Sequence, residues 1–307
     1  EPLARTTDSD SAHVGLALNG NRGPWRWSVT GNGDVAQAVT RTDREDEARS
    51  DRARSLSASG DLNLVASGPL FAVPAGTAGL TVKAGASTFA LDSTRRRANV
   101  VSANELGRSL GAASASFDLP VSRRNRGFSA LGNLTLNANA EIERLSDFGT
   151  LATVGAGANW SPAERLSLIA SWPREEGAPS VSQLGDSVLE TPGTRVFDFT
   201  AGETVLVSAI TGGNPALPTD RRNVVKVGGN WKPFEETDLR LRAEYVRSRI
   251  EDPVSSFPGA SAELEAAFPG RFVRDSAGRL LSVDFRPVNY DEARRDTVRW
   301  GFDFTQR

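Results

Sequence analysis

Between Asp238 and Ile250 the apolar side chains keep to one parity. Leu239, Leu241, Ala243 and Tyr245 alternate with Arg240, Arg242, Glu244 and Ser248. A strand turns successive side chains to opposite faces, so these charges share one face; a helix would scatter them. The alternation slips at Val246-Arg247, where the strand is expected to near its end. The same pattern recurs along the chain. Leu134, Leu136, Ala138, Ala140 and Ile142 alternate with Asn133, Thr135, Asn137, Asn139, Glu141 and Glu143. Leu56, Ala58, Leu62, Leu64 and Ala66 alternate with Ser57, Ser59, Asp61 and Asn63, and Val298, Trp300, Phe302 and Phe304 with Arg299, Gly301 and Asp303. Fainter copies occupy 80–87, 113–119, 154–160, 166–172 and 225–231.

An ordinary antiparallel sheet with one wet face also alternates, as a sandwich or a soluble solenoid would. Three features favour a transmembrane barrel. The segments are often ten residues or more, against about five or six in most sheets. Their polar face is heavily polar, as a water-lined lumen requires. Their apolar face is rich in Ala, Leu, Val and Trp, without core residues for a second sheet. The expected fold is all-β, a transmembrane antiparallel barrel with long external loops. A secreted soluble β-protein stays open as the alternative.

The connections support the barrel by alternating in length. Asn21–Pro24, Gly68–Gly76, Arg123–Gly127, Ser161–Glu164 and Pro233–Thr237 read as short. The stretches 32–54, 92–104, 173–222 and 251–292 read as long, and Leu145–Thr150 as a modest external loop. Short turns on one side and long loops on the other are the habit of outer-membrane barrels. Phe71, Trp160, Trp231 and Phe234 flank the short turns, where an interfacial aromatic girdle is expected. About eleven strands result. Single-chain bacterial barrels close with an even number. The last residues, Phe304-Thr305-Gln306-Arg307, also lack a terminal aromatic. The expectation is therefore one partial barrel domain over 1–307.

Composition narrows the chemistry. The formal charge is -2, and only Lys83, Lys226 and Lys232 are lysines, so no broad basic field points to nucleic acid. There is no cysteine, which excludes disulfides, zinc–thiolate sites and thiol catalysis. There is no methionine and no signal peptide, so a mature protein or a piece of a larger one is expected. No apolar run is long enough for a membrane-spanning helix, which leaves strands of about 9–11 residues free to cross.

From Gly127 to about Arg274 the chain resembles the barrel of TonB-dependent receptors. Leu145-Ser146-Asp147-Phe148-Gly149 ends one strand, and Asn159-Trp160-Ser161-Pro162 closes the next. Leu166 to Ser171 ascends, and Gly177-Ala178-Pro179-Ser180-Val181-Ser182-Gln183-Leu184 is similar to the family's arginine-alanine-proline-serine stretch. Gly213-Asn214-Pro215-Ala216-Leu217-Pro218 matches a Gly-Asn-Pro-x-Leu motif. Gly177 stands where the family usually has arginine, and Pro218-Thr219-Asp220 where it has a basic residue and Pro-Glu. The resemblance implies a barrel of about 22 strands around an N-terminal plug, in the bacterial outer membrane. It implies outer-membrane lipid, an unknown small solute and, through an N-terminal region, the TonB energy-transducing complex as partners. Neither plug nor TonB box is visible in this sequence.

Catalytic chemistry finds little support, and no cofactor is expected. His13 is the only histidine and sits beside an alternating segment, where a structural role is expected. No Gly-x-Ser-x-Gly elbow and no metal-ligand spacing accompanies it. The run 41–54, with five basic and five acidic residues, and Arg95-Arg96-Arg97 read as solvated external loops. Ala262–Phe268 reads as a short loop helix ended by Pro269-Gly270, and Leu280–Phe285 as a small strand. The ligand-binding candidates are Arg240, Arg242, Glu244, Arg299 and Asp303, whose parity faces the lumen. Their bland reading is a water-filled polar wall. The functional expectation is a receptor barrel for active uptake of a scarce nutrient such as a siderophore or a glycan. A passive porin-like or adhesin-like barrel is the alternative within the membrane.

Overall fold

A computed structural model describes residues 5–42, 51–97, 100–124, 126, 129–235 and 237–305. The chain divides into two compact units. The larger comprises Glu1–Gly177, Arg221–Glu251 and Glu292–Arg307. It holds an eleven-stranded antiparallel meander whose strands lie side by side in chain order. They are β1 (Arg5–Arg22), β2 (Trp25–Thr42), β3 (Asp51–Val73), β4 (Gly76–Arg97), β5 (Val100–Ser122), β6 (Asn133–Leu145), β7 (Gly149–Ala163), β8 (Leu166–Gly177), β9 (Asp220–Trp231), β10 (Asp238–Glu251) and β11 (Glu292–Thr305).

The register aligns apolar with apolar across the sheet. Val29 opposes Leu64, Val82 opposes Ala115, Ala113 opposes Ile142 and Val227 opposes Tyr245. Leu241 opposes Phe302, and Ala243 opposes Trp300. A one-residue slip would mix the faces, so this register specifies a continuous apolar surface. Bulges keep it continuous near the short turns. The shift between Pro69 and Phe71 brings Phe71 opposite Ala78, on the same side as Phe117, 6.1 Å between ring centroids. The surface stays open: Leu62 is 54%, Ile142 55% and Trp300 79% exposed. A water-soluble sheet buries such a face at a gain of about 25 cal/mol per Å². Here the face has the height of a bilayer core. From Val298 to Phe304 it extends roughly 20–24 Å at about 3.4 Å per residue, against an apolar band of about 25 Å in outer-membrane barrels.

Trp27, Phe71, Trp160, Trp231 and Phe304 mark this band at the short-turn end of the sheet. Trp27 lies over Gly20 on β1, where a Cβ would come within 2.4 Å of the indole. Trp160 donates its indole N–H to the Leu131 carbonyl at 2.8 Å. At the other end Trp172 donates to Asn223 Oδ1 at 2.8 Å and Tyr245 to Asp296 Oδ1 at 2.6 Å. Aromatic rings with one polar tip suit the membrane–water boundary at both ends.

Two long-loop expectations are corrected. The stretches 32–54 and 92–104 are mostly strand, since β2 runs to Thr42, β3 starts at Asp51, β4 runs to Arg97 and β5 starts at Val100. Arg95-Arg96-Arg97 therefore ends a strand, and residues 43–50 of the charged run lie outside the described residues. Beyond the apolar band both faces of a strand meet water, so alternation vanishes while backbone pairing continues. Arg41 bonds Asp8 there at 2.8 Å, and Arg54 bonds Gln37 at 3.2 Å. For the same reason β10 passes straight through Val246-Arg247 to Glu251 with unbroken register. The connection expected at Arg123–Gly127 extends to Gly132.

The smaller unit comprises Ala178–Asp220 and Asp252–Asp291. Its four-stranded sheet has the order Phe272–Arg274, Leu280–Asp284, Glu203–Thr211, Leu189–Asp198, with the middle pair parallel. Val196, Val207, Phe257, Phe272, Leu280, Val283 and Val288 form its core, with Leu264 and Phe268 packed against it. The predicted helix is observed at Ala262–Ala267, capped by Ser261, whose Oγ accepts from Leu264 N at 3.2 Å. Proline then starts a 3₁₀ turn at Pro269–Arg271.

Candidate functional site

The five residues singled out by parity do share one face of the large sheet. Arg240 opposes Asp303, Arg242 opposes Gly301 and Glu244 opposes Arg299. Their charges interlock. Arg242 reaches Asp303 at 3.0 Å, and Glu244 takes Lys226 at 2.7 Å and Arg299 at 3.5 Å. Arg240 turns instead to Asp238 at 3.6 Å, which also holds Lys232 at 3.1 Å. These pairs are exposed, so each adds little to stability, on the order of 0–1 kcal/mol. Their effect is to fix cations and carboxylates at known positions on a wet wall.

Between them lies a depression of about 650 Å³ lined by Ile169, Ser171, Lys226, Gly228, Asn230, Arg242, Glu244 and Arg299. Lys226, Asn230 and Ser171 were not singled out from sequence. Their strands were legible, however: Val225, Val227 and Trp231 set the parity that puts Lys226 and Asn230 on the polar side. Gly228 has no side chain and deepens the hollow. Across β6 and β7 the same face is built differently. Asn139 and Asn137 lie over Gly155 and Gly157, where an added Cβ would stand 2.5 and 2.4 Å from the amide oxygens. At the β1–β3 edge, His13 Nδ1 meets Asp34 Oδ1 at 2.7 Å, and Asn32 and Asn63 both donate to Asp61. His13 is thus part of the polar wall. Among the described residues no group of three or more His, Cys, Asp or Glu could hold a metal ion.

The two motif stretches of the resemblance come together within the smaller unit. Ser180 caps the short helix Val181–Gly185 through a capping box with Gln183. Asn214 N donates to the Gln183 carbonyl at 2.7 Å and Gly213 N to the Asp186 carbonyl at 2.9 Å. A Cβ on Gly213 would stand 2.6 Å from Asp186 N and 2.7 Å from the Leu184 carbonyl oxygen, so only glycine allows this approach. Asn214 then bonds the Pro287 carbonyl at 2.9 Å, and Leu217 is buried. The motif is a clasp between backbone segments. Nearby in the same unit, Arg274 makes a bidentate pair with buried Asp198, both bonds 2.8 Å, and holds Glu265 at 2.7 Å. The hydrogen bonds from Arg274 are the largest influence holding the Asp198 carboxyl at about 2, below its ordinary 3.8.

No family model matches the chain, and a search of curated proteins finds no match. Solved structures do match. The RagAB peptide transporter aligns at TM-score 0.65 and 10% identity over 98% of this chain and 34% of its own. The siderophore receptor PirA from Acinetobacter baumannii aligns at 0.60 and 12%, over 97% and 42%. The Serratia marcescens hemophore receptor HasR, solved with its hemophore HasA and heme, aligns at 0.60 and 11%, over 98% and 47%. The chain thus spans between a third and a half of each of these proteins. With eleven strands in uninterrupted chain order, a bilayer-high apolar face and this alignment, the chain carries part of the barrel fold of the TonB-dependent receptors of the bacterial outer membrane.

Proposed function

We propose that this chain forms part of the wall of an outer-membrane receptor that takes up a scarce solute by active transport coupled to the TonB complex. The observation that carries the reading is the two-faced sheet. One face is apolar and open over the height of a bilayer core, and the other is a continuous wall of paired charges and amides. A lipid-facing exterior and a wet interior are what a transport barrel needs. The aligned structures support the receptor class: one transports peptides, one is a siderophore receptor, and one is bound to a hemophore and heme. The hollow ringed by Lys226, Arg242, Glu244 and Arg299 is the proposed contact point for the solute or for a plug. On this reading the protein is a receptor and not an enzyme.

Uptake by cells with and without the gene tests this. Labelled peptides and ferric siderophores would be offered in turn, with and without an uncoupler of the proton gradient. Gene-dependent uptake that the uncoupler abolishes supports active transport. Gene-dependent uptake that ignores the uncoupler replaces it with a passive pore. A protein recovered in the soluble fraction without detergent refutes the barrel itself.

A further inference from the structure

At the short-turn end of the large sheet, apart from the hollow described above, three arginines gather in one pocket. Arg123, Arg124 and Arg126 line a cavity of about 580 Å³ together with Ala75, Gly76, Asn133 and Glu164. Backbone contacts hold the described residues of the connection after β5. Arg126 N donates to the Arg123 carbonyl at 3.2 Å and Arg124 N to Asn133 Oδ1 at 3.2 Å. Ser122, fully buried, ties the start of the connection to the Gly132 carbonyl at 2.8 Å. Arg124 is anchored, donating to the Ser161 carbonyl at 2.9 Å and standing 3.7 Å from Glu164. Arg123 and Arg126 have no carboxylate partner among the described residues. Glu164 is the only acid lining the pocket, and its side chain is 85% exposed. Three guanidinium groups, that of Arg124 anchored, against one loosely held carboxylate leave a net positive pocket.

The depth of the pocket defines its surroundings. Trp160 and Leu131, joined by the indole hydrogen bond, adjoin this connection, and Phe71 and Phe117 pair on the strands beside it. The pocket therefore sits at the level of the aromatic girdle, where lipid phosphates lie. We propose that Arg123, Arg124 and Arg126 form a binding site for a phosphate group at this rim. A guanidinium presents parallel N–H donors that match two phosphate oxygens, and it keeps its charge at any physiological pH. Basic pockets at headgroup depth recognise anionic lipids in this way. The phosphate can come from a phospholipid headgroup or from a free anion, and the experiment separates the two.

The protein, purified in mild detergent, would be titrated with phosphatidylglycerol, with phosphatidylcholine and with inorganic phosphate, and bound species counted by native mass spectrometry. Arg123→Gln/Arg126→Gln would be compared with Arg22→Gln/Arg26→Gln, which removes the same charge from the β1–β2 turn at the same end of the sheet. Heat-modifiable migration on gels confirms that each variant keeps its barrel. Phosphatidylglycerol is expected to bind, and the pocket variant to weaken it on the order of tenfold to thirtyfold at about 1 kcal/mol per arginine. The turn variant should leave binding within about twofold. Saturable binding of inorganic phosphate that the pocket variant removes, without lipid selectivity, keeps the site and assigns it to a free anion. Equal loss in both variants, or no binding of either probe, overturns the proposal.

Discussion

Replacing Asp198 by alanine tests whether the smaller unit is held by its ion cluster. The Asp198 side chain is 1% exposed and accepts two bonds from Arg274, plus the backbone N–H groups of Thr200 at 3.0 Å and Ala201 at 3.3 Å. Alanine removes all four acceptor contacts and leaves Arg274 with Glu265, the Gly278 carbonyl and Thr200 as partners. Breaking a buried pair by deleting one member costs about 3–5 kcal/mol, because the other charge stays desolvated. Glu265 keeps part of that compensation, so a loss of about 3 kcal/mol, at the lower end, is expected. Hydrogen exchange of the amides in Leu280–Asp284 reads this directly, since that strand lies mid-sheet in this unit. Asp198→Asn retains an acceptor for Thr200 and Ala201 and should cost less than alanine. In an Arg274→Met background the alanine substitution should cost much less again, as the two residues act as a pair. A loss below about 1 kcal/mol for Asp198→Ala would place the stability of the unit in its apolar core alone.

Four further outcomes are expected. Because the Asp198 pKa is depressed to about 2 from 3.8, its contribution is full above pH 4 and is lost as pH falls from about 4 to 2; unchanged protection at Leu280–Asp284 over that window would contradict this. Leu241→Arg places a cation on the open apolar face and should cost about 2–4 kcal/mol in refolding into bilayers near the midplane. Arg240→Leu, on the polar face, should cost much less, and equal losses would reverse the assignment of faces. Gly213→Ala drives a Cβ against the backbone of Leu184 and Asp186, so exchange at Val181–Gly185 should accelerate by at least tenfold, or about 1.4 kcal/mol; an unchanged rate would show that the clasp can open at no cost. Arg242→Gln should reduce solute uptake with the barrel intact, and unaltered uptake would leave the hollow as a solvated wall only.

Alternation marked nine of the eleven strands, their faces and the shared parity of Arg240, Arg242, Glu244, Arg299 and Asp303, and the spacing of the connections brought the count to eleven. Alternation could do so because inside a bilayer one face must be apolar, and a period of two is the signature of that constraint. Where the constraint ends, so does the signal. The upper reaches of β2 to β5 are strand in water on both sides, and their Arg, Asp, Ser and Thr looked like loop. Short motifs marked the stretches around Ser180 and Asn214, but their meeting as a clasp joins segments some thirty residues apart and belongs to the tertiary structure. Only the tertiary structure decided which charges pair. Lys226 meets Glu244 through the register of β9 against β10, and no spacing along the chain encodes that meeting. The same holds for Asp198 with Arg274 and for the arginine pocket beside Gly76. The smaller unit itself emerged only in three dimensions. Two insertions separated by β9 and β10 contribute adjoining halves of one sheet and share one core, and no local pattern within either announces the other.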